Sequence, residues 1–187
     1  MTTALLVMDL QNGIVERFAE KSGPLLDVLE NTLSTARAAG LSVIFVRVAF
    51  RDGAPEASAR NRSFSAYAKS DVFSENGPAT QVHPRLAPLP REIIVTKRRV
   101  SAFAGSDLDV VLRAQGVDSL VLTGIATSGV VLSTLRQAAD LDFKITVLHD
   151  ACADSDEEVH RVLTQKVFPR QASVMSAGEW RTLISES

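Results

Sequence analysis

Apolar and polar residues follow one another in short blocks that predict strands and helices in turn. The run Ala4–Met8 is continuously apolar, as expected of a strand buried on both faces. Apolar positions at helical spacing follow from Pro24 to Ala39, where Pro24 suits a first helical turn and Gly40 a helix end. Further strands are predicted at 42–48, 92–96, 119–123, 144–148 and 172–175, and further helices at 107–114, 129–141 and 156–167, before a terminal helix that holds Trp180.

Regular alternation of strands and helices favours an α/β fold. We expect a Rossmann-like, three-layer α/β/α arrangement in which a six-stranded parallel sheet is covered by helices on both faces and connected by right-handed crossovers. A chain of 187 residues suits one domain with a sizeable core, and we assign residues 1–187 to it.

One long segment breaks this alternation. The stretch from Phe50 to Pro90 holds five of the seven prolines. A loop of that length in a compact domain is usually functional, as a lid or a pocket wall. A surface excursion with a small helix is the alternative, and the sequence leaves both open.

Composition and charge exclude several classes of protein. A net charge of −2 provides no basic stripe for nucleic acid. No apolar run is long enough to cross a bilayer, and the first residues lack the basic segment of a secretion signal, so we expect a cytoplasmic protein without membrane contact. The one cysteine, Cys152, excludes an internal disulfide and a zinc site built from several thiolates.

Candidate chemistry lies at the predicted strand ends. Ligands of an open α/β sheet bind outside the carboxyl ends of the strands, where Asp9 and Lys97 stand. Brought together in a crevice, they would form a desolvated pair with coupled pKa values. The turn at 124–129 offers backbone N–H groups that suit an oxyanion. Taken alone, each feature also fits an ordinary turn, cap or surface charge.

These segments together resemble the isochorismatase-like, or cysteine hydrolase, superfamily. The resemblance spans residues 3 to 180 in order and at family spacing. It rests on the opening strand with Asp9, on Lys97 with the following Ser101–Leu108, on Gly124–Val131, and on Asp150–Asp154.

The resemblance implies a six-stranded parallel α/β domain and a triad of Asp, Lys and Cys. Asp9 matches the general base and Lys97 its partner. The Ile125–Ala126 bond falls where the family often has a non-proline cis peptide, and the amides of Ala126 and Val130 correspond to the oxyanion hole.

The family's nucleophile falls on Val130, and a valine cannot form an acyl-enzyme intermediate. Cys152 lies past the next predicted strand, where a small buried residue is the simpler interpretation. We therefore expect a member without the nucleophilic cysteine. Arg99 matches the arginine of the branch that cleaves vinyl ethers, in which the aspartate acts as a general acid, but Ala126-Thr127-Ser128 departs from that branch's Tyr-Ala-His.

Other residues are candidates for binding. We expect Gln11, Phe64, Arg99 and Thr127 to contact a small-molecule substrate, and Arg47, Arg51, Arg60 and Arg62 are further arginines near the expected pocket wall. Three scattered histidines, His83, His149 and His160, argue against a zinc site, so we expect no metal and no cofactor. The apolar helix after Gly129 predicts a homo-oligomer.

Two functions remain open at this point. The first is a thiol-independent hydrolase of a small, neutral or anionic metabolite, with Asp9 as acid or base, Lys97 as its partner and water as nucleophile. The second is a catalytically inactive pseudoenzyme that binds a small molecule or serves as an oligomeric scaffold. The Asp9–Lys97 pair favours the hydrolase, because a buried charged pair is costly, whereas Val130 favours the pseudoenzyme.

Overall fold

The computed structural model describes residues 2–67 and 71–185, without the side chains of 19–21. The segment 68–70 of the predicted long loop therefore lies outside the described residues. The strands form one parallel sheet with the order β3-β2-β1-β4-β5-β6. Their bounds are Thr3–Met8 (β1), Ser42–Val48 (β2), Ile93–Lys97 (β3), Ser119–Ile125 (β4), Lys144–Ala153 (β5) and Ser173–Met175 (β6).

Helices cover both faces of this sheet and make three layers. Side chains alternate along β1, so that Leu6 faces one core cluster and Leu5 the other. The first cluster includes side chains of α3 and α4, and the second includes those of α2 and α6. The helices are Asn12–Val15 (α1), Ala19–Ala38 (α2), Leu108–Ala114 (α3), Leu132–Asp140 (α4), Glu157–Val162 (α5) and Ala177–Ser185 (α6). The predicted α/β/α fold is confirmed.

Element ends differ from the sequence-based expectation in three places. Helix α2 begins at Ala19, so Pro24 lies inside the helix rather than in its first turn. Strand β5 continues to Ala153 and places Cys152 in the strand rather than in a turn. The segment Thr127–Val131 is a wide helical turn that precedes α4. Apolar periodicity reports which face of an element is buried and locates its ends only to within a few residues.

The apolar residues of α4 and its preceding turn pack into the first core cluster. Val131, Leu135 and Ala138 are fully buried there, and Leu132 and Ala139 pack against the same cluster. The core of one chain thus accounts for the apolar surface on which the expectation of a homo-oligomer was based.

The strand order reverses between β1 and β4, because the chain moves outward from β1 to β3 and then returns to the other side of β1. Such a reversal opens a crevice at the carboxyl ends of the two central strands. Asp9 follows β1 and Ala126 follows β4, so both stand at this crevice. No helix in the described part of the chain is long and apolar enough to span a membrane.

Candidate active site

Asp9 is the first residue beyond β1, and the backbone turns sharply there. Its φ of 58° is a left-handed conformation, which aspartate adopts more readily than most non-glycine residues. Its N–H donates to the Val46 carbonyl of the neighbouring strand at 2.8 Å. This anchor fixes a buried carboxylate at the crevice.

Lys97 ends strand β3 and reaches Asp9 across the end of β2. Parallel strands lie about 4.8 Å apart, so β1 and β3 are separated by about 10 Å, a gap that a lysine and an aspartate can bridge. The Nζ of Lys97 lies 3.0 Å from Oδ2 of Asp9 and also donates to the Arg99 carbonyl at 2.9 Å. Both side chains are buried, so their mutual attraction is screened less by water than that of a surface ion pair, while their burial carries a desolvation cost.

Burial raises the pKa of the Asp9 carboxyl, and the ammonium of Lys97 opposes that rise by attraction and hydrogen bonding. Its second oxygen, Oδ1, is buried and has no hydrogen-bond partner among the described residues. A buried acceptor without a partner is costly and usually marks a position where a ligand or water binds. The carboxyl therefore has one oxygen held by Lys97 and one available to a ligand.

The turn after β4 forms the opposite side of the crevice. Its Ile125–Ala126 peptide bond is cis, at the position for which the family resemblance predicts one. Gly124 precedes it with φ of 141°, and a Cβ at this position would stand 2.2 Å from the Met8 carbonyl oxygen, so only glycine fits. Asp154 stabilises this turn, because its Oδ2 accepts a hydrogen bond from the Ser128 N–H at 2.7 Å.

These elements enclose a cavity of about 230 Å³. Asp9 and Lys97 line it together with Val130, so the structure brings the three predicted triad positions into one cavity. Ile125, Ala126 and Phe64 line it as well. The other lining residues among those described are Ile14, Arg17, Phe18, Val48, Phe50, Ser63, Tyr67, Phe73, Val100 and Gly129.

Part of the long Phe50–Pro90 segment forms an aromatic wall of this cavity, which is one of the two roles the sequence left open. Phe50 and Phe64 meet edge to face at 5.8 Å, and Tyr67 and Phe73 at 4.9 Å. Such arrangements are favourable for aromatic rings. Sequence reasoning named Phe64 as a substrate contact but missed Phe50 and Phe73.

Three predicted binding residues lie elsewhere. Gln11 is fully buried, and its amide bonds the Val48 backbone and the Thr80 carbonyl, so it joins the end of β2 to the long loop. Thr127 is also fully buried, and its hydroxyl lies 2.8 Å from Nδ1 of His160. The Arg99 guanidinium lies 6.0 Å from the Phe64 ring centre without lining the cavity.

Of the described residues, Arg17 brings a second cationic side chain to the cavity beside that of Lys97, and sequence reasoning did not single it out. It follows α1 in a short helical turn, Glu16–Phe18. The signal that could have found it is its position eight residues after Asp9, in the segment that leaves β1 over the crevice. Arg47, Arg51, Arg60 and Arg62 do not line the cavity.

Cys152 lies in β5, beside Gly124 of β4, and not at this cavity. Its thiol is buried, and burial raises its pKa to about 12. A thiol with so high a pKa is almost wholly protonated at neutral pH, and the thiolate is the nucleophilic form.

Among the described residues, no group of three or more His, Cys, Asp or Glu side chains is arranged to hold a metal ion.

Fold and site together define a Rossmann-like α/β protein with a small-molecule cavity at the switch point of its sheet and a buried carboxylate–ammonium pair in that cavity. Comparison with known families narrows this class. Residues 3–179 match the model of the isochorismatase domain, and the chain therefore belongs to the isochorismatase-like hydrolase family.

Individual relatives agree with this placement. The chain is 36% identical over 182 residues to YecD, an uncharacterized isochorismatase family protein of Escherichia coli O157:H7, with 95% of this chain and 94% of that protein covered. It is 33% identical over 177 residues to the ureidoacrylate amidohydrolase RutB of Stutzerimonas stutzeri (strain A1501), covering 83% and 71%. The structure of an isochorismatase family protein from Burkholderia thailandensis superimposes with a TM-score of 0.87 at 29% identity, covering 98% and 96% of the two chains.

Proposed function

We propose that this protein hydrolyses a small metabolite without a thiol nucleophile, with Asp9 as acid or base, Lys97 as its partner and water as the nucleophile. The observation that carries the proposal is the buried Asp9–Lys97 pair: both residues line one cavity, and Oδ1 of Asp9 has no hydrogen-bond partner among the described residues. A buried ion pair contributes little net stability, so its presence in a cavity favours a functional role.

Val130 supports the absence of thiol chemistry. It lines the cavity at the position that matches the family's nucleophile, and its side chain offers only apolar surface. Cys152 does not line this cavity, and its raised pKa disfavours the thiolate. The nucleophile in this proposal is therefore a water molecule.

Two reactions are compatible with a carboxyl group in this setting. Protonated Asp9 can donate its proton to the carbon of an enol ether, after which water attacks the oxocarbenium ion and returns a proton to the Asp9 carboxylate, and the alcohol leaves from the resulting hemiketal. Ionised Asp9 can instead take a proton from water as the oxygen attacks an amide or ester carbonyl, and return it to the amine or alcohol that leaves when the tetrahedral intermediate collapses. The backbone amides of Ala126 and Val130 would then stabilise the developing oxyanion. The raised pKa of Asp9 favours the first reaction, because it keeps the acid form present at higher pH.

The names of the relatives supply the first substrates to test. RutB is an ureidoacrylate amidohydrolase by name, and the family model is that of isochorismatase. Both a carbon–nitrogen and an ether bond therefore belong in the screen. The rival function is the pseudoenzyme that binds a ligand or serves as a scaffold without turnover, and it is favoured by the valine at position 130.

The decisive experiment is a hydrolysis screen over enol ethers, amides and esters with the wild-type protein and two variants. Asp9→Asn removes the proton donor and acceptor but tolerates the left-handed backbone of position 9. Asp109→Asn is the matched control, since Asp109 is an exposed residue of α3 outside the cavity. Turnover that is lost in Asp9→Asn and kept in Asp109→Asn supports the proposal.

Turnover that survives Asp9→Asn would refute the role of Asp9. No turnover with any substrate class, alongside saturable binding of one of them, would favour the pseudoenzyme.

A cytoplasmic location and a homo-oligomeric state also belong to this proposal. The location rests on the sequence-based expectation above. The homo-oligomer was predicted from the apolar helix after Gly129, whose side chains pack into the core of one chain and supply no separate argument for association. Light scattering coupled to size-exclusion chromatography measures the oligomeric state directly, and a monomer at micromolar concentration would contradict that part.

A further inference from the structure

Arg17 brings a positive charge to the cavity that the proposed chemistry does not use. Among the described residues, three charged side chains line the cavity, those of Asp9, Lys97 and Arg17. Asp9 and Lys97 form an ion pair, so their charges largely offset each other. Of the described lining residues, Arg17 therefore carries the positive charge with which a ligand in the cavity can pair.

Aromatic side chains, rather than a carboxylate, hold Arg17 in place. Its guanidinium carbon lies 5.6 Å from the centre of the Phe73 ring, within the range of a cation–π contact. Its Nη1 donates to the Tyr67 hydroxyl at 3.3 Å. Among the described residues, no carboxylate pairs with Arg17.

The contrast with other arginines strengthens this point. Arg37 is paired with Glu92, Arg85 with Asp27 and Glu30, and Arg98 with Glu56 and Glu75. Guanidinium has five N–H donors in a planar fork that matches a carboxylate in two-point geometry. A guanidinium held by aromatic rings beside a cavity keeps donors available for such a ligand.

The cavity also restricts size and shape. A volume of about 230 Å³ is smaller than the roughly 300–1,000 Å³ of pockets that enclose drug-sized molecules. Phe50, Phe64, Tyr67 and Phe73 line it with flat rings, which favours a planar occupant. Asp9 lines the same cavity, and its Oδ1, which lacks a partner among the described residues, can accept a hydrogen bond from a ligand or, when protonated, give it a proton.

We propose that Arg17 determines the specificity of this site by binding the carboxylate of a small, planar acid of about the size of benzoate. The planar part of this acid lies against the aromatic wall. The inference rests on the proposed function only in using the same cavity. It requires ligand binding and makes no demand on turnover.

The test compares three probes that differ in one feature each. Benzoate carries both ring and carboxylate, benzamide has the same shape without the charge, and acetate has the charge without the ring. Dissociation constants are measured by NMR titration at pH 7 for the wild type, Arg17→Met, Arg17→Lys and the control Arg170→Met. Arg170 is an exposed arginine in the turn Phe168–Arg170, outside the cavity.

The wild type and Arg170→Met should bind benzoate about 10- to 100-fold more tightly than benzamide, as expected of hydrogen bonds to a charged group. Acetate should bind at least about tenfold more weakly than benzoate, because it loses the ring contacts. Arg17→Met should abolish the preference for benzoate while leaving benzamide binding nearly unchanged, and Arg17→Lys should restore part of it.

A preference for benzoate that persists in Arg17→Met would overturn the inference, as would equal affinity for benzoate and benzamide or no saturable binding of either. The failures of the two proposals can be told apart. Arg17-dependent binding of benzoate without any hydrolytic turnover refutes the proposed function and leaves this inference standing. Conversely, hydrolysis that depends on Asp9 but is unchanged by Arg17→Met and by the presence of a substrate carboxylate supports the proposed function and refutes this inference.

Discussion

Replacing Lys97 by methionine should expose how strongly the buried pair is coupled. The substitution keeps most of the side-chain volume and removes the ammonium that lies 3.0 Å from Asp9. Lys97 is 2% exposed and Asp9 6%, so the remaining carboxylate would have no cation and little water. Removing one partner of a buried ion pair typically costs about 3–5 kcal/mol of unfolding free energy.

A second variant separates this cost from lost packing. In Asp9→Asn/Lys97→Met neither charge is present, and asparagine tolerates the φ of 58° at position 9. Neutral replacement of both partners of a buried pair is often close to neutral for stability. We expect the double variant to unfold within about 1–2 kcal/mol of the wild type, and the single variant to be the least stable of the three at pH 8.

The unfolding free energy of Lys97→Met should change with pH in one direction. The pKa of Asp9 is already raised in the folded protein, and the loss of Lys97 removes the attraction that opposed the rise. Between an unfolded pKa of about 4 and the raised folded pKa, the folded state binds one more proton than the unfolded state. The unfolding free energy of Lys97→Met should therefore fall by about 1.4 kcal/mol per pH unit as the pH rises through this window. The double variant lacks this contribution.

Urea unfolding between pH 4 and 8 measures these differences. Far-UV circular dichroism and the fluorescence of Trp180, the one tryptophan of the chain, provide two probes, and Trp180 is buried. Other titrating groups are common to both variants and cancel in their difference. Equal stability of the single and double variants at pH 8, or equal pH slopes, would refute the coupling of Asp9 and Lys97.

Three further predictions concern individual positions. Val130→Cys places a thiol in the cavity with Asp9 and should form an acyl adduct with an activated ester, visible by mass spectrometry; an unmodified side chain would contradict this. Cys152 should resist alkylation by iodoacetamide at pH 8 in the folded protein and react in urea, because burial raises its pKa to about 12; fast labelling of the native state would refute that expectation. Gly124→Ala should cost about 3 kcal/mol or more in thermal unfolding, since its Cβ would stand 2.2 Å from the Met8 oxygen; an unchanged melting temperature would show that the turn yields easily.

The sequence by itself determined the sheet and two of its catalytic candidates. Strands buried on both faces are almost continuously apolar, so a block such as Ala4–Met8 can be recognised as a strand from the sequence without tertiary information. Asp9 and Lys97 stand where those blocks end, and carboxyl ends of parallel strands meet at one edge. That geometry is general to α/β sheets, which is why the sequence alone predicts that the two residues lie close together.

Only the tertiary structure decided which other side chains reach the cavity. Arg17, Phe50 and Phe73 come from segments without regular periodicity, so nothing local indicates where they point. Gln11 was predicted to contact a ligand because it is a polar residue two positions from Asp9. In the structure its amide group instead hydrogen-bonds the Val48 backbone. The lone oxygen of Asp9 and the charge of Arg17 likewise depend on which partners approach in space. Periodicity reports the face of a strand or helix, whereas the contents of a cavity depend on side-chain directions in loops that are far apart in sequence.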